Sequence, residues 1–343
     1  MNLKAKTRAS NTVIKALTGL LTCAALSAPL TAQAQAPIVI KFSHVAAVDT
    51  PKGQAAEYFK KIVEERTKGK VKVEVFANST LFKDKEELEA LQIGSVQMLA
   101  PVPGKFGPLG VKEFEVFDLP YIFKDIDAVH RFSRGPGGAG LLKKLDSRGV
   151  TGLAYWDNGF RVMSANKPIH TPADMKGLKM RINSSKVNAA IMKSVGAQPQ
   201  SLAFSEVYQA LQTGVVDGTE GPLSNLYTQK QYEVQKHVTL SYHTISNYVV
   251  VANKKFWDGL PADIRSTLET AVKDATTYND SVAEKDEAAS LAAIKTSGKS
   301  TVYAPTAAEM EAWAKAMLPV HAEMADRVGG KAFIDSVRAA SAK

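Results

Sequence analysis

Two arginines twenty residues apart carry the most specific chemistry in this chain. Arg161 ends the stretch Tyr155-Trp156-Asp157-Asn158-Gly159-Phe160-Arg161, just past an apolar strand and beside glycine and aromatics. Arg181 lies inside the apolar strand Lys179-Met180-Arg181-Ile182, which runs into Asn183-Ser184-Ser185. A guanidinium on a buried strand is costly unless an anion meets it. Its planar fork matches a carboxylate bidentately, so the carboxylate of a small ligand is a natural partner. An Asp or Glu of the chain itself would serve equally well, and spacing alone does not choose between the two.

Other chemical signals are weaker. Gly135-Pro136-Gly137-Gly138-Ala139-Gly140 spells G-x-G-x-x-G, but the polar, helical-looking segment Asp125 to Arg134 precedes it. A dinucleotide fingerprint needs a strand there, so the run reads as a glycine-rich surface loop and no cofactor is expected. There is no G-x-S-x-G elbow, Walker A loop or H-E-x-x-H. The six histidines (His44, His130, His170, His237, His243 and His321) are never three or four residues apart, so no helical metal face is expected. Lys60, Lys61, Lys68, Lys70 and Lys72 cluster, but Glu57, Glu64, Glu65 and Glu74 are interleaved with them. That pattern is a solvated surface, and nucleic acid is not expected as a partner.

The elements that must position the arginines follow from punctuation and periodicity. Ile38 to Phe42 reads as a buried strand; Thr50-Pro51 caps and starts a helix that ends near Arg66. Val71, Val73 and Val75 alternate as a second strand, Asp84 to Ile93 is helical, and Val96 to Ala100 is a third strand. Strands at Gly152 to Trp156 and Lys179 to Ile182 continue the alternation, with helices at Val187 to Val195 and Val207 to Leu211. Tyr248 to Ala252 is a β-rich run that could cross back to the first half. From Pro261 to about Thr296 there is no glycine or further proline, which predicts one long helix lying across both halves. Strands alternating with helices indicate an α/β class with much parallel pairing.

Composition sets the outer bounds. The chain has 343 residues, 43 Lys+Arg against 34 Asp+Glu, a formal charge of +9 and one cysteine. Its length suggests about two domains, each with its own core. Lys4, Lys6 and Arg8, an uncharged apolar run from Ala16 to Leu30 and the ending Ala32-Gln33-Ala34 describe a cleaved secretory signal peptide over residues 1–34. The run falls short of the ~20 apolar residues of a membrane span. Those residues include Lys4, Lys6, Arg8 and Lys15, no acid and the single Cys23, so the mature chain carries +5 and no cysteine. A disulfide-free exported protein suits a bacterial periplasm.

The motifs then point to a family. Trp156-Asp157-Asn158-Gly159-Phe160-Arg161, Asp174-Met175-Lys176-Gly177-Leu178-Lys179-Met180-Arg181 and Phe204-Ser205-Glu206-Val207-Tyr208-Gln209-Ala210-Leu211 through Glu220 resemble the solute-binding proteins of TRAP transporters, DctP type. The likeness extends from Phe42-Ser43-His44 to Phe256-Trp257-Asp258-Gly259-Leu260-Pro261. It implies a two-domain α/β receptor with mixed sheets, several hinge crossings and a long helix spanning both domains. Domain I would take residues 35–159 and 247–284, and domain II residues 160–246 and 285–343. The receptor would close on a small organic acid, foremost a C4-dicarboxylate such as succinate, malate or fumarate, and deliver it as a monomer to the transporter's membrane subunits. The resemblance carries Arg181 as the carboxylate grip and Arg161 as a second basic contact. Ser184, Ser185 and Phe204 match pocket-lining positions, His44 and His243 positions of polar contacts, and Asn225 a further one. After Glu220 the family often has Asn where this chain has Gly221, which bears on the polar end of the pocket. A 2-oxoacid, aromatic acid or uronate as ligand, an exported enzyme acting on a carboxylate, and an adhesion or scaffolding role remain the alternatives.

Overall fold

A computed structural model describes residues 36–342, and from Pro37 on the chain forms one compact unit. The leader and Cys23 lie outside the described residues. Ile38–Ser43 (β1) pairs parallel with Val71–Phe76 (β2), Ile40 opposite Val73, and with Met98–Leu99 (β3). Helix Pro51–Arg66 (α1) connects β1 to β2: the Thr50 hydroxyl accepts the Gly53 N–H, and Pro51 opens the first turn. Ala55, Phe59, Ile62 and Val63 of α1 face the sheet, with the Phe59 ring edge-on to Phe42 at 6.0 Å. Glu87–Gln92 (α2) is shorter than its sequence pattern suggested, and β3 keeps only two residues of the run from Val96 to Ala100.

Two segments differ in kind from the sequence reading. The glycine run is not a surface loop but the helix Pro136–Lys144 (α4), which directly follows the helix Ile126–Ser133 (α3). Its glycines permit close approach: a Cβ on Gly138 would collide with the Ser133 carbonyl, and one on Gly137 with the Phe132 ring. The second is the strand Val150–Ala165 (β4), sixteen residues long, so Arg161 lies within a strand and not beyond its end. The first half of β4 pairs antiparallel with Ile245–Asn253 (β9). Its second half pairs antiparallel with Gly218–Pro222 (β7) and His237–Thr239 (β8). Near the end of the pairing with β9 sits a register shift from Asp157 to Gly159, where Gly159 takes a φ of 131° that side chains disfavour.

Beyond β7, Lys179–Ile182 (β5) pairs parallel with β7 and with Gln198–Ser201 (β6), while Thr301–Tyr303 (β10) pairs with β8. The strand order is thus β2-β1-β3-β9-β4-β7-β5-β6, mixed parallel and antiparallel, and continuous through β4. Lys186–Ser194 (α5), Val207–Gln212 (α6), Leu223–Thr228 (α7) and Lys254–Asp258 (α8) are short. Ala262–Ser297 (α9) runs 36 residues and ends on Gly298 in the left-handed conformation. It packs on α1, β4, α7 and β10, so it reaches both halves of the sheet. Ala307–Met317 (α10), Val320–Glu323 (α11) and Lys331–Ala342 (α12) close the chain. No helix among the described residues is long and apolar enough to cross a membrane.

Candidate functional site

Arg161 and Arg181 line one cavity, β4 supplying the first and β5 the second. Each is only 4% exposed, yet their charges are met differently. Arg161 Nη1 donates to both carboxylate oxygens of Glu220, at 2.9 and 2.8 Å, and Nη2 lies 3.7 Å from Asp118. The β4–β7 register explains the pair: Glu220 stands opposite Met163, two residues from Arg161, so the two side chains are diagonal neighbours on one sheet face. Burial works against the Arg161 charge, and Glu220 and Asp118 raise its pKa above the ordinary arginine value. Burial pushes Asp118 up to about 7 despite the nearby Arg161 charge.

Arg181 has no Asp or Glu within 4 Å among the described residues. Its Nε and Nη2 donate to the Leu202 carbonyl at 3.2 and 2.9 Å, and the guanidinium carbon sits 5.6 Å from the centre of the Phe204 ring. Burial lowers its pKa, opposed by the more distant charges of Asp84 and Glu220. A guanidinium held by a carbonyl and an aromatic ring keeps donor capacity for an anion.

Phe204, Gly221 and Asn225 line the same cavity. A Cβ on Gly221 would meet nothing within 4 Å, so that position opens space at the wall. The Asn225 carbonyl oxygen accepts from Asn158 at 3.3 Å, and Asn158 also donates to the Tyr248 hydroxyl at 2.7 Å. Four other sequence-derived positions fall outside the lining. Ser185 caps α5, accepting the Asn188 N–H, and Ser184 is a half-buried bend residue; Asn183 faces the cavity instead. His243 is buried against Ser241, its Nδ1 2.9 Å from that hydroxyl, and burial lowers its pKa to about 4. His44 is fully enclosed next to Val45 and Ala46, which do line the cavity; burial and the Lys52 charge lower it to about 3. Both imidazoles are therefore neutral at pH 7.

Sequence reasoning missed two lysines. Lys52, in the first turn of α1, and Lys105 both line the cavity. Lys105 is paired, 2.5 Å from Glu87 and 3.6 Å from Asp84, whereas Lys52 donates to the Ala100 carbonyl at 3.1 Å. The available signal was position: Lys52 follows the carboxyl end of β1, and open α/β sheets place ligands beyond the carboxyl ends of their strands. The cavity that the two lysines line has a volume of about 50 Å³.

Comparison with known proteins identifies the family. Residues 42–327 match DctP, the family of bacterial extracellular solute-binding proteins, family 7. The chain belongs to this family. The C4-dicarboxylate-binding periplasmic protein DctP of Rhodobacter capsulatus is 57% identical over 93% of this chain and 95% of that protein. A TRAP periplasmic solute-binding protein from Shewanella oneidensis, with bound succinate, superposes with a TM-score of 0.87 at 43% identity, covering 89% of this chain and all of the other. One from Pseudomonas aeruginosa PAO1, with bound L-malate, gives 0.82 at 42% identity, over 84% of this chain and all of the other. The family is one of periplasmic receptors that bind small carboxylates and serve TRAP permeases. As a DctP member, this chain is a solute-binding protein of the mixed α/β architecture described above.

A third arrangement in this DctP chain concerns metals. Among the described residues, His130, Asp157 and Asp280 are the group whose potential ligand atoms lie within 4.8 Å of one another. His130 Nε2 is spent on Asp157 at 2.5 Å, and Asp280 on Arg134 at 2.6 Å. The cluster is an ion-pair network joining α3, β4 and α9.

Proposed function

We propose that this chain captures a C4-dicarboxylate (succinate, malate or fumarate) in the cavity between the two halves of the sheet and delivers it to the membrane subunits of a TRAP transporter. The observation that carries this reading is the Arg181 guanidinium, buried in the cavity wall without an acidic partner among the described residues. Arg181 holds one ligand carboxylate. Arg161, already matched by Glu220, shapes the site and contributes its remaining Nη2 donor. Phe204 bounds the ligand on one side, and Gly221 and Asn225 bound its polar end.

The chain reaches the periplasm through cleavage of residues 1–34 and acts as a monomer. Residues 35–159 with 247–284, and 160–246 with 285–343, form two domains that close on the ligand, flexing where β4 changes partners. It returns the acid unchanged: among the described residues the cavity is lined by the four cations Lys52, Lys105, Arg161 and Arg181, while the neutral imidazoles of His44 and His243 stand outside its lining.

A thermal-shift panel on ligand-stripped protein tests the reading, with succinate, malate, fumarate, 2-oxoacids, aromatic acids and uronates. The C4-dicarboxylates should raise the melting temperature, and Arg181→Ala should abolish that rise while leaving the ligand-free protein folded. No shift with any acid would refute the proposal. Mass spectrometry of acid incubated with the protein separates a receptor, which returns it unchanged, from an enzyme.

A further inference from the structure

Four cations line the cavity: Lys52, Lys105, Arg161 and Arg181. Lys105 is bonded to Glu87 and Arg161 to Glu220, which leaves Lys52 and Arg181 without an acid within 4 Å among the described residues. The two come from different parts of the sheet, Lys52 from the helix that follows β1 and Arg181 from β5. We propose that Lys52 reads the second carboxylate of the ligand and so sets the preference for diacids over monoacids. This assignment rests on the receptor function proposed above.

The setting of Lys52 is poor for a purely structural lysine. It is 1% exposed, whereas lysine is almost never fully buried unless paired. Its ammonium has one carbonyl acceptor, Ala100 at 3.1 Å, and lies 3.7 Å from the centre of the Tyr248 ring. An ammonium has three donors, so capacity for an anion remains. The residue also occupies the first turn of a sixteen-residue helix, where the backbone dipole disfavours a cation and favours an anion. A carboxylate placed against Nζ would relieve both costs at once. Burial lowers the Lys52 pKa to about 7, with Glu87 and Asp84 opposing that shift and Lys105 reinforcing it. A ligand carboxylate would restore the charged form. The Tyr248 hydroxyl, held by Asn158, fixes the ring beneath the ammonium. Two unmatched cations facing one small cavity are complementary to a dianion and leave a monoanion one charge short.

The test compares succinate with butyrate, which has the same number of carbons and one carboxylate, by calorimetry on wild type, Lys52→Met and Lys52→Arg. Methionine keeps the apolar stem and removes a buried charge, so the variant should fold; arginine keeps the charge as a control. Lys52→Met should weaken succinate by about 10- to 100-fold, the value of a charge-assisted hydrogen bond. It should leave butyrate within about threefold, and Lys52→Arg should retain part of the preference for succinate. Equal losses for both acids, or an unchanged succinate affinity, would overturn the assignment to Lys52 while leaving the receptor function standing. A wild type that binds neither acid would overturn both.

Discussion

Arg161 and Arg181 are equally buried, and their difference lies in what removal would leave behind. Glu220 is 1% exposed at its side chain and depends on Arg161 for compensation. Breaking such a pair strands a buried charge and costs about 3–5 kcal/mol. Arg181 strands no acid; its loss frees the Leu202 carbonyl, worth about 1–2 kcal/mol. Urea unfolding of ligand-free protein should therefore show Arg161→Met losing several kcal/mol and Arg181→Met little. Equal losses would mean that Arg181 has a structural partner after all. Ligand binding should follow a different order, with Arg181→Met the more damaging.

At the scale of elements, β4 and α9 decide how the two halves are joined. The register shift at Asp157 to Gly159 falls just before β4 leaves β9 for β7 and β8. His130 on α3 bonds Asp157 at that point, while Asp280 on α9 stands nearby, bonded to Arg134. The hydrogen bond to Asp157, aided by its charge, raises the His130 pKa against the effect of burial and of Arg134. A histidine whose folded pKa is raised contributes stability below its unfolded value of about 6.5, and loses it as pH rises through the folded value. Wild type should thus lose a component of unfolding free energy from pH 6.5 upward that His130→Gln lacks. Denaturant titrations of both proteins across pH 5.5 to 9 check this, and parallel profiles would count against the link.

For the whole molecule, continuity of the sheet through β4 and of α9 across both halves ties the described chain into one compact unit. A single calorimetric unfolding transition is expected, and two resolved peaks would contradict that coupling. A ligand at a hundredfold excess over Kd stabilises the folded state by about 2.7 kcal/mol. At the ~2–4 °C per kcal/mol of larger domains, that corresponds to a rise of roughly 5–10 °C in the one transition. The rise should grow with the logarithm of succinate concentration, and should be absent in Arg181→Ala.

Local structure was legible in the residues because its causes are local. Thr50-Pro51 starts α1, the glycine-free stretch after Pro261 makes α9, and the apolar neighbours of Arg181 bury it on β5. The family, too, follows from contiguous motifs. What only tertiary structure decided was pairing between distant positions. Glu220 meets Arg161 across 59 residues because the β4–β7 register makes them diagonal neighbours. The same register lengthened β4 past Arg161, and close packing on Phe132 and Ser133 turned a glycine run into α4. Lys52 reaches the cavity because α1 begins at the carboxyl end of β1, beside Ala100 and Tyr248 from elsewhere in the chain. Sequence specifies which charges are present and which segments bury them; the sheet register and the docking of α1 specify which of those charges remain unmatched, because electrostatic compensation depends on distance in space.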